Sequence, residues 1–244
     1  ALAGTPVAGV QRAAAAAGWE YGVDWGARDT ATVGGSVATN AGGTKVIRFG
    51  DTRAQLLGVE AVLADGSVVS HLGGLVKDNT GYDLAGLVCG SEGTLAVVTA
   101  ARLRLVPRCE HRVVAVVGVA SMSEAVALAG HVRRTVADVD AIEVLTDDCR
   151  SLVGAPPPVP EGAAVWVLVE CAGHDDPTAA LASAVCDLPA AVAGPSEPSR
   201  RQQLWHARHG VTEAVNAIGP PIKLDVTLPG PRLAAFCDEV PSVV

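Results

Sequence analysis

The chain has 244 residues, of which 49% are hydrophobic, 18% charged and 3% aromatic. Its 26 acidic residues outnumber 18 basic ones, and the net charge of −8 argues against a nucleic-acid-binding surface, since such domains gather Lys and Arg into a basic stripe. No apolar tract reaches the ~20 residues of a membrane-spanning helix, so no transmembrane segment is expected. The six cysteines are scattered without a C-x-x-C pair, which predicts reduced thiols in a cytoplasmic protein.

The first hundred residues combine a helix with short strands. Thr5 is the predicted N-cap and Pro6 the first residue of a helix through the Ala-rich segment that follows. Asp65-Gly66, between two apolar runs, predicts a hairpin with a type I′ turn. The apolar run at 94–107 predicts one or two further strands.

Residues beyond about 110 alternate between strand and helix patterns. Ser121 and Glu124 form a predicted capping box at the start of one helix, and apolar residues at three-to-four spacing predict a long helix at 199–218. The whole pattern predicts an α+β fold of two domains, residues 1–108 and 109–244. The second domain is also expected to contain strands at 113–119, 141–145, 165–171 and 222–228, a Pro-rich loop at 156–160, a helix opened by Asp176-Pro177, and a helix at about 232–240.

Glycines are concentrated at 31–43, in the segment A-T-V-G-G-S-V-A-T-N-A-G-G. Paired glycines with Thr39 and Asn40 between them let the backbone approach a flat or phosphorylated ligand, and they present N–H groups that a Cβ would block. The spacing differs from the G-x-G-x-x-G of a Rossmann dinucleotide site. By itself the segment is equally compatible with a purely structural set of turns.

Two polar loops follow, K-D-N-T-G-Y-D-L at 77–84 and C-G-S-E-G-T-L at 89–95, and such loops commonly carry function. Together with G-G-S-V-A-T-N-A-G-G at 34–43 and G-V-E-A-V-L-A-D-G at 58–66, they occur in an order that resembles the FAD-linked oxidases of the vanillyl-alcohol oxidase type. The resemblance is strongest to the D-2-hydroxyacid dehydrogenase branch. It implies the second half of a PCMH-type FAD-binding domain, followed by a substrate or cap domain with an antiparallel sheet flanked by helices.

The resemblance implies FAD as the cofactor, held without a Rossmann unit. Ser36 stands where the family usually has Asn, and Glu92 has an alternative role as a carboxylate that caps its own loop. The cofactor-binding residues implied by the resemblance are Thr32, Gly34, Gly35, Ser36, Thr39, Asn40, Ala41, Gly42, Gly43, Glu92, Gly93 and Thr94.

Arg208 lies on or beside the apolar stripe of the predicted long helix, and Thr212 follows one helical turn later. Burial of a guanidinium is unfavourable unless it meets an anion, which suggests a receptor for a carboxylate. The residues alone also allow an arginine that reaches solvent or pairs with Glu213 or another acid.

The pattern W-x-x-R-x-x-x-T followed by K-x-D-V-x-L-P matches the substrate-binding segments of the same hydroxyacid dehydrogenases. The resemblance implies that Arg208 and Lys223 bind the substrate carboxylate and that Thr212 adds a hydrogen bond. The expected reaction is oxidation of a D-2-hydroxy acid of the lactate, glycolate or 2-hydroxyglutarate class, with hydride transfer to FAD. The predicted strand at 222–228 would place Lys223 on the face opposite to its apolar residues.

In the family, a divalent, zinc-like metal is expected on His-rich and Glu-His segments that this sequence does not contain, and no catalytic residue or metal ligand is assigned here. His206 and His209, three residues apart on the long helix, are interpreted as surface or packing residues. The family's P-x-G-G-x-T phosphate loop also has no counterpart. We therefore expect the chain to be an internal piece of a longer flavoprotein.

Two alternatives remain open at this point. One is a flavoenzyme similar to alkylglycerone-phosphate synthase, which shares the G-S-E-G-T-L loop, and the other is a catalytically incomplete module for binding or subunit interaction. The expected partners are a small-molecule 2-hydroxy acid and an electron-acceptor protein or quinone, with the chain in a homodimer or as a subunit of a complex. No nucleic acid is expected.

Overall fold

A computed structural model describes residues 1–75, 77–153, 162–222 and 224–243. The chain divides into two compact units, Ala1–Arg108 and Cys109–Val244. Each unit combines helices with antiparallel strands, which confirms the predicted α+β class. The predicted Pro-rich loop at 156–160 and Lys223 lie outside the described residues. Within the described ranges, every helix is too short or too polar to cross a membrane.

The first unit contains short helices and antiparallel strands. In chain order these are α1 (Val7–Ala16), β1 (Trp19–Glu20), α2 (Val33–Ala38), α3 (Val46–Phe49), α4 (Thr52–Gln55), β2 (Leu56–Leu63), β3 (Val68–His71), α5 (Leu84–Val88), β4 (Ala96–Leu103) and β5 (Val106–Pro107). β2 is the central strand of a sheet of order β3-β2-β4, and β1 pairs with β5. Val59 and Ala61 alternate along β2 and pack with α5, so the sheet buries one face.

The hairpin predicted at Asp65-Gly66 is present, but the predicted turn type, I′, is wrong. Only Gly66 has a positive φ, of 85°, whereas a type I′ turn needs positive φ at both central residues. Asp65 instead accepts hydrogen bonds from the amide and hydroxyl of Ser67, at 2.9 and 2.6 Å. A local side-chain bond therefore closes a longer turn between β2 and β3.

The predicted N-cap of α1 is also wrong, although the helix itself is confirmed. The N-cap residue is Pro6, and no side chain caps the helix. The backbone carbonyl of Thr5 accepts a hydrogen bond from the amide of Val33 at 2.9 Å, and Pro6 forms an isolated bridge with Thr32. The entry to α1 is fixed by this long-range backbone pairing, which local propensity does not predict.

The second unit alternates strands and helices. In chain order these are β6 (His111–Val119), α6 (Met122–Thr135), β7 (Val139–Thr146), α7 (Asp147–Leu152), β8 (Val165–Gly173), α8 (Thr178–Ala184), β9 (Ala190–Ala193), α9 (Pro198–Ile218) and α10 (Gly230–Glu239), followed by a 3₁₀ turn at Val240–Ser242. The four strands form one antiparallel sheet of order β7-β8-β6-β9. The Ser121 side chain caps α6 as predicted. The Glu124 carboxylate accepts the amide N–H of Ala120, the residue before the N-cap.

Both faces of this sheet are apolar and pack against helices. One face carries apolar side chains such as Val113 and Val167 and packs against α6 and α8, where Leu181 of α8 is fully buried. The opposite face packs against α9 through Val116, Leu168 and Leu204, among others. Because successive residues of a strand point to opposite faces, the sequence alternation of β6 and β8 supplies both apolar surfaces.

The strand predicted at 222–228 is not formed by the described residues, and this prediction is wrong. Ile222, Leu224 and Val226 are 93%, 74% and 52% exposed. An alternating segment becomes a strand only when a neighbour accepts its ladder hydrogen bonds, and no described strand pairs with it. Ile218, the last residue of α9, continues the apolar spacing that predicts this helix, yet it is 73% exposed. β9 was not predicted from the sequence, because A-A-V-A contains only one β-branched residue and alanine is depleted in strands.

Candidate functional site

The glycine-rich segment 31–43 folds into α2 with its hydroxyl groups turned back on the helix. The Thr32 side chain caps α2 by accepting a hydrogen bond from the amide of Gly35 at 3.2 Å. Ser36 is buried and donates to the carbonyl of Val33 at 2.8 Å, and Thr39 donates to that of Gly35 at 2.9 Å. The surface that α2 leaves exposed therefore includes Gly35 and Thr39.

Two of the four glycines in this segment are required for packing inside the protein. A Cβ at Gly43 would lie 2.0 Å from the carbonyl oxygen of Asp24, and one at Gly34 would lie 2.7 Å from the Cβ of Ala3. Gly42 is different, because it is exposed and a Cβ there would meet only the end of the Val46 side chain, at 3.1 Å. Gly34 and Gly43 thus have a structural role irrespective of any ligand.

The structure brings the loop at 89–95 against the end of α2. The amide of Gly90 donates to the carbonyl of Val37 at 2.9 Å, and that of Glu92 donates to the carbonyl of Ala38 at 2.8 Å. The two segments that the resemblance assigns to the cofactor are therefore neighbours, although they are about fifty residues apart in sequence.

Asn40 connects these segments to α4. Its φ is 49°, and its side-chain amide donates to Asp51 at 2.8 Å while its Oδ1 accepts the amide of Arg53 at 2.9 Å. Arg53 in turn donates to the carbonyl of Cys89 at 2.5 Å. Burial raises the pKa of the Cys89 thiol, which favours its protonated form. Asn40 consequently holds the local fold.

The loop at 91–94 has open polar groups. Glu92 and Gly93 have φ of 51° and 78°, and nothing lies within 4 Å of a Cβ built on Gly93. Within the described residues the Glu92 carboxylate makes no hydrogen bond or ion pair, so it does not cap its own loop. The buried Oγ of Ser91 has no hydrogen-bond partner there either. An orphaned buried hydroxyl beside open glycine backbone fits a polar ligand such as the nucleotide part of FAD.

Tyr21 of the first unit is buried, and this burial raises its pKa to about 12. Its phenol is therefore neutral at physiological pH and does not act as a base. Within the parts of the chain that the structure describes, no group of three or more His, Cys, Asp or Glu side chains is arranged to hold a metal ion.

The face of the second sheet that packs on α9 ends in a group of charged residues, here called the charged cluster: Arg112, Asp140, Glu143, Glu170 and Arg208. Arg112 Nη1 donates to Asp140 and Glu170, at 2.8 Å each. The other oxygen of Glu170 accepts the indole N–H of Trp205 at 2.5 Å, and the Trp205 ring stacks on that of His209. Each carboxylate in this chain of contacts meets a donor, as partly buried charges require.

Arg208 is held by Glu143 in the same cluster. Its Nε donates to Glu143 Oε2 at 2.5 Å, and the two side chains are 37% and 20% exposed. The acid that pairs with Arg208 is therefore Glu143 on β7, not Glu213 on the same helix. Thr212, one turn later, is exposed, and Lys223, the third predicted substrate-binding residue, lies outside the described residues.

Sequence reasoning missed Arg112, Glu143 and Glu170. A signal was available, because Glu170 continues the alternation of Trp166 and Leu168 along β8 and so breaks an otherwise apolar face. The partner of each charge could not be deduced, since it depends on strand register and on where α9 lies.

Two family models match the chain. Residues 1–71 match the FAD binding domain, and residues 108–243 match the C-terminal domain of FAD linked oxidases.

Curated relatives are similar over most of this chain. A mitochondrial D-2-hydroxyglutarate dehydrogenase of Bos taurus is 38% identical over 223 residues, which are 86% of this chain and 41% of the relative. The D-2-hydroxyglutarate dehydrogenase of Xanthomonas citri pv. viticola is 33% identical, over 99% of this chain and 53% of the relative. The chain thus spans about half the length of these relatives or less.

A solved structure of alkyldihydroxyacetonephosphate synthase is similar in fold, with a TM-score of 0.65 over 87% of this chain and 41% of that chain. The two sequences are 15% identical. This similarity supports the PCMH-type and cap-domain architecture that the motifs imply.

Proposed function

We propose that this chain, which belongs to the FAD-linked oxidase family, takes part in the oxidation of a D-2-hydroxy acid to the corresponding 2-oxo acid. The names of the bovine and bacterial relatives support 2-hydroxyglutarate as the first substrate to test, with lactate and glycolate as alternatives. The observation that carries the proposal is the state of Arg208. Within the described residues its guanidinium is held through Nε alone, and its side chain is 37% exposed.

The terminal nitrogens of Arg208 are the groups that would bind the substrate carboxylate. A guanidinium presents them as a planar fork that matches two carboxylate oxygens, and charge-assisted bonds of this kind are strong. Thr212 lies one helical turn along α9, where its hydroxyl can add a further hydrogen bond. Lys223 stays a predicted second cation for the same carboxylate.

FAD would be held on the exposed surface at Gly35, Thr39 and Gly42 and by the loop at 91–94. When bound, FAD supplies an acceptor for the hydride that leaves C2 of the hydroxy acid. The orphaned Ser91 hydroxyl and the open backbone at Gly93 offer hydrogen bonds to its polar groups. Thr32 and Ser36 act indirectly, because their hydroxyl groups maintain α2.

The remaining expectations keep the status of predictions. A divalent, zinc-like metal on the substrate hydroxyl, a quinone or protein electron acceptor, and a homodimer or larger complex follow from the resemblance alone. The cytoplasmic location stays a prediction from cysteine usage, while the bovine relative is named as mitochondrial. The alkylglycerone-phosphate synthase alternative is supported by the shared G-S-E-G-T-L loop and by the likeness in fold, at 15% sequence identity.

The test uses the purified chain incubated with FAD and freed of unbound ligand by gel filtration. Its visible flavin spectrum and far-UV circular dichroism are recorded before and after anaerobic addition of D-2-hydroxyglutarate, D-lactate or glycolate. We expect a folded chain that retains flavin and bleaches with one of these acids. Arg208→Ala should weaken substrate binding about tenfold to hundredfold, the effect of a lost charged hydrogen bond, with unchanged flavin content.

Arg200→Ala is the matched control, because Arg200 also lies on α9 but forms an exposed pair with Glu197. It should leave bleaching unchanged. Loss of flavin in Arg208→Ala would mean that Arg208 belongs to the cofactor site and not to a substrate site. A folded, flavin-containing chain that no hydroxy acid bleaches would favour the alternative of a catalytically incomplete binding module.

A further inference from the structure

We propose that Glu143 is a positioning residue that presents Arg208 to the substrate carboxylate, an inference that rests on the proposed function. Glu143 does not touch the substrate. It accepts the Nε–H of Arg208 at 2.5 Å, and among the described residues no hydrogen bond occupies the two terminal nitrogens, whose outer edge stays available to a second carboxylate.

The position of Glu143 is itself fixed by the sheet. It lies on β7 opposite Leu168 of β8, at the point where the apolar face gives way to the charged cluster. Its side chain is only 20% exposed, so few alternative conformations are open to it. A carboxylate anchored in this way is a stable acceptor for a long and flexible arginine side chain.

A second carboxylate fixes the helix that carries Arg208. Trp205, three residues earlier on α9, donates its indole N–H to Glu170, and Glu170 is held by Arg112. Residues three apart lie on the same side of a helix. The backbone of α9 is therefore held by the Trp205 contact, and the effect of Glu143 is concentrated on the Arg208 side chain.

Positioning and competition predict opposite results. If Glu143 positions Arg208, its removal lets the guanidinium adopt many conformations, and the substrate must then order it. Ordering one such side chain corresponds to about a fivefold loss of affinity. If Glu143 instead competes with the substrate, its removal frees the cation and increases affinity. A glutamine retains an oxygen acceptor for the Nε–H but removes the negative charge.

The experiment measures the affinity of the full chain, loaded with FAD, for D-2-hydroxyglutarate by isothermal titration calorimetry. Glu143→Ala should bind about fivefold more weakly, and Glu143→Gln should restore affinity to at least the original value. Glu213→Ala is the matched control on exposed α9 surface and should bind normally. Circular dichroism and urea unfolding establish that each variant is folded.

Three results would overturn the inference. Tighter binding by Glu143→Ala would make Glu143 a competitor, equal losses in the alanine and glutamine variants would make its charge the relevant property, and normal binding by both would leave it without a role. If the unmodified chain and Arg208→Ala both fail to bind any hydroxy acid, the proposed function fails first.

A measurement without a ligand distinguishes failure of the positioning role from failure of the proposed function. Proton–nitrogen spectra of the arginine Nε–H groups should show a hydrogen-bonded, slowly exchanging signal for Arg208 in the unmodified chain and in Glu143→Gln. That signal should exchange rapidly in Glu143→Ala. An unchanged Arg208 signal in Glu143→Ala would contradict the positioning role even without a ligand.

Discussion

The candidate segments of the two units are built in different ways. In the first unit, α2 and the loop at 89–95 use backbone groups and local hydrogen bonds such as Thr32 to Gly35. In the second unit, the charged cluster joins side chains 58 and 65 residues apart in sequence, in the pairs Arg112–Glu170 and Arg208–Glu143. A site made of backbone is visible as a contiguous motif, whereas a site made of distant side chains emerges only after folding.

The largest expected effect tests the backbone character of the first region. Gly43→Ala places a Cβ 2.0 Å from the Asp24 carbonyl oxygen. The backbone must shift to remove this overlap, and the shift should lower the free energy of unfolding by about 3 kcal/mol. Urea denaturation followed by circular dichroism measures the change.

Gly42→Ala is the control for this substitution, because its Cβ meets only a flexible valine side chain. It should alter the stability by less than about 1 kcal/mol. Equal losses of stability in the two variants would contradict the distinction between a packing glycine and an open one.

An intermediate effect tests the side-chain character of the second region. Arg112→Ala leaves Glu170 and Asp140, whose side chain is 1% exposed, without the cation that bridges them. Loss of one partner from a buried pair typically destabilises by 3–5 kcal/mol, and the 24% exposure of Arg112 reduces the expected loss to about 2 kcal/mol.

The exposed pair Arg200–Glu197 provides the contrast in the same urea experiment. Arg200→Ala should change the stability by less than about 1 kcal/mol, as is typical of surface ion pairs. If both arginine variants were equally stable, the charged cluster would be a surface feature and not part of the packed structure.

The smallest expected effect is a stabilisation, whereas the two substitutions above destabilise the fold. Glu92 adopts a φ of 51°, which is strained for a residue with a Cβ. Glu92→Gly should relieve that strain, but the unfolded chain gains freedom, so the net stabilisation is about 0.5 kcal/mol. Retention of flavin after gel filtration should decrease, because the Glu92 carboxylate, which has no hydrogen bond or ion pair among the described residues, is then no longer available to the cofactor. Unchanged retention would assign Glu92 no part in cofactor binding.

The sequence allowed most of the fold to be predicted where local signals were strong. The hairpin of β2 and β3, the Ser121 cap of α6 and the long helix α9 all have such signals. The turn type at Asp65 depended on one side-chain bond, and the strand expected at 222–228 lacks a described partner.

The candidate site was predictable to a different extent in each unit. The resemblance located 31–43 and 89–95, and the structure makes them neighbours. It also identified Arg208, but its partner Glu143 depends on the register of β7 and on the placement of α9. Long-range pairs of this kind cannot be derived from the spacing of residues along the chain.

The most direct test of a carboxylate site at the charged cluster is a set of proton–nitrogen spectra recorded while D-2-hydroxyglutarate is added to the FAD-loaded chain. We expect saturable shifts confined to the Arg208 Nε–H, the Trp205 indole and the amide of Thr212. Residues on the sheet face that packs against α6 and α8, such as Val113 and Val167, should not shift. Saturable shifts elsewhere with none at Arg208, or no shifts at all, would contradict a carboxylate site at the charged cluster.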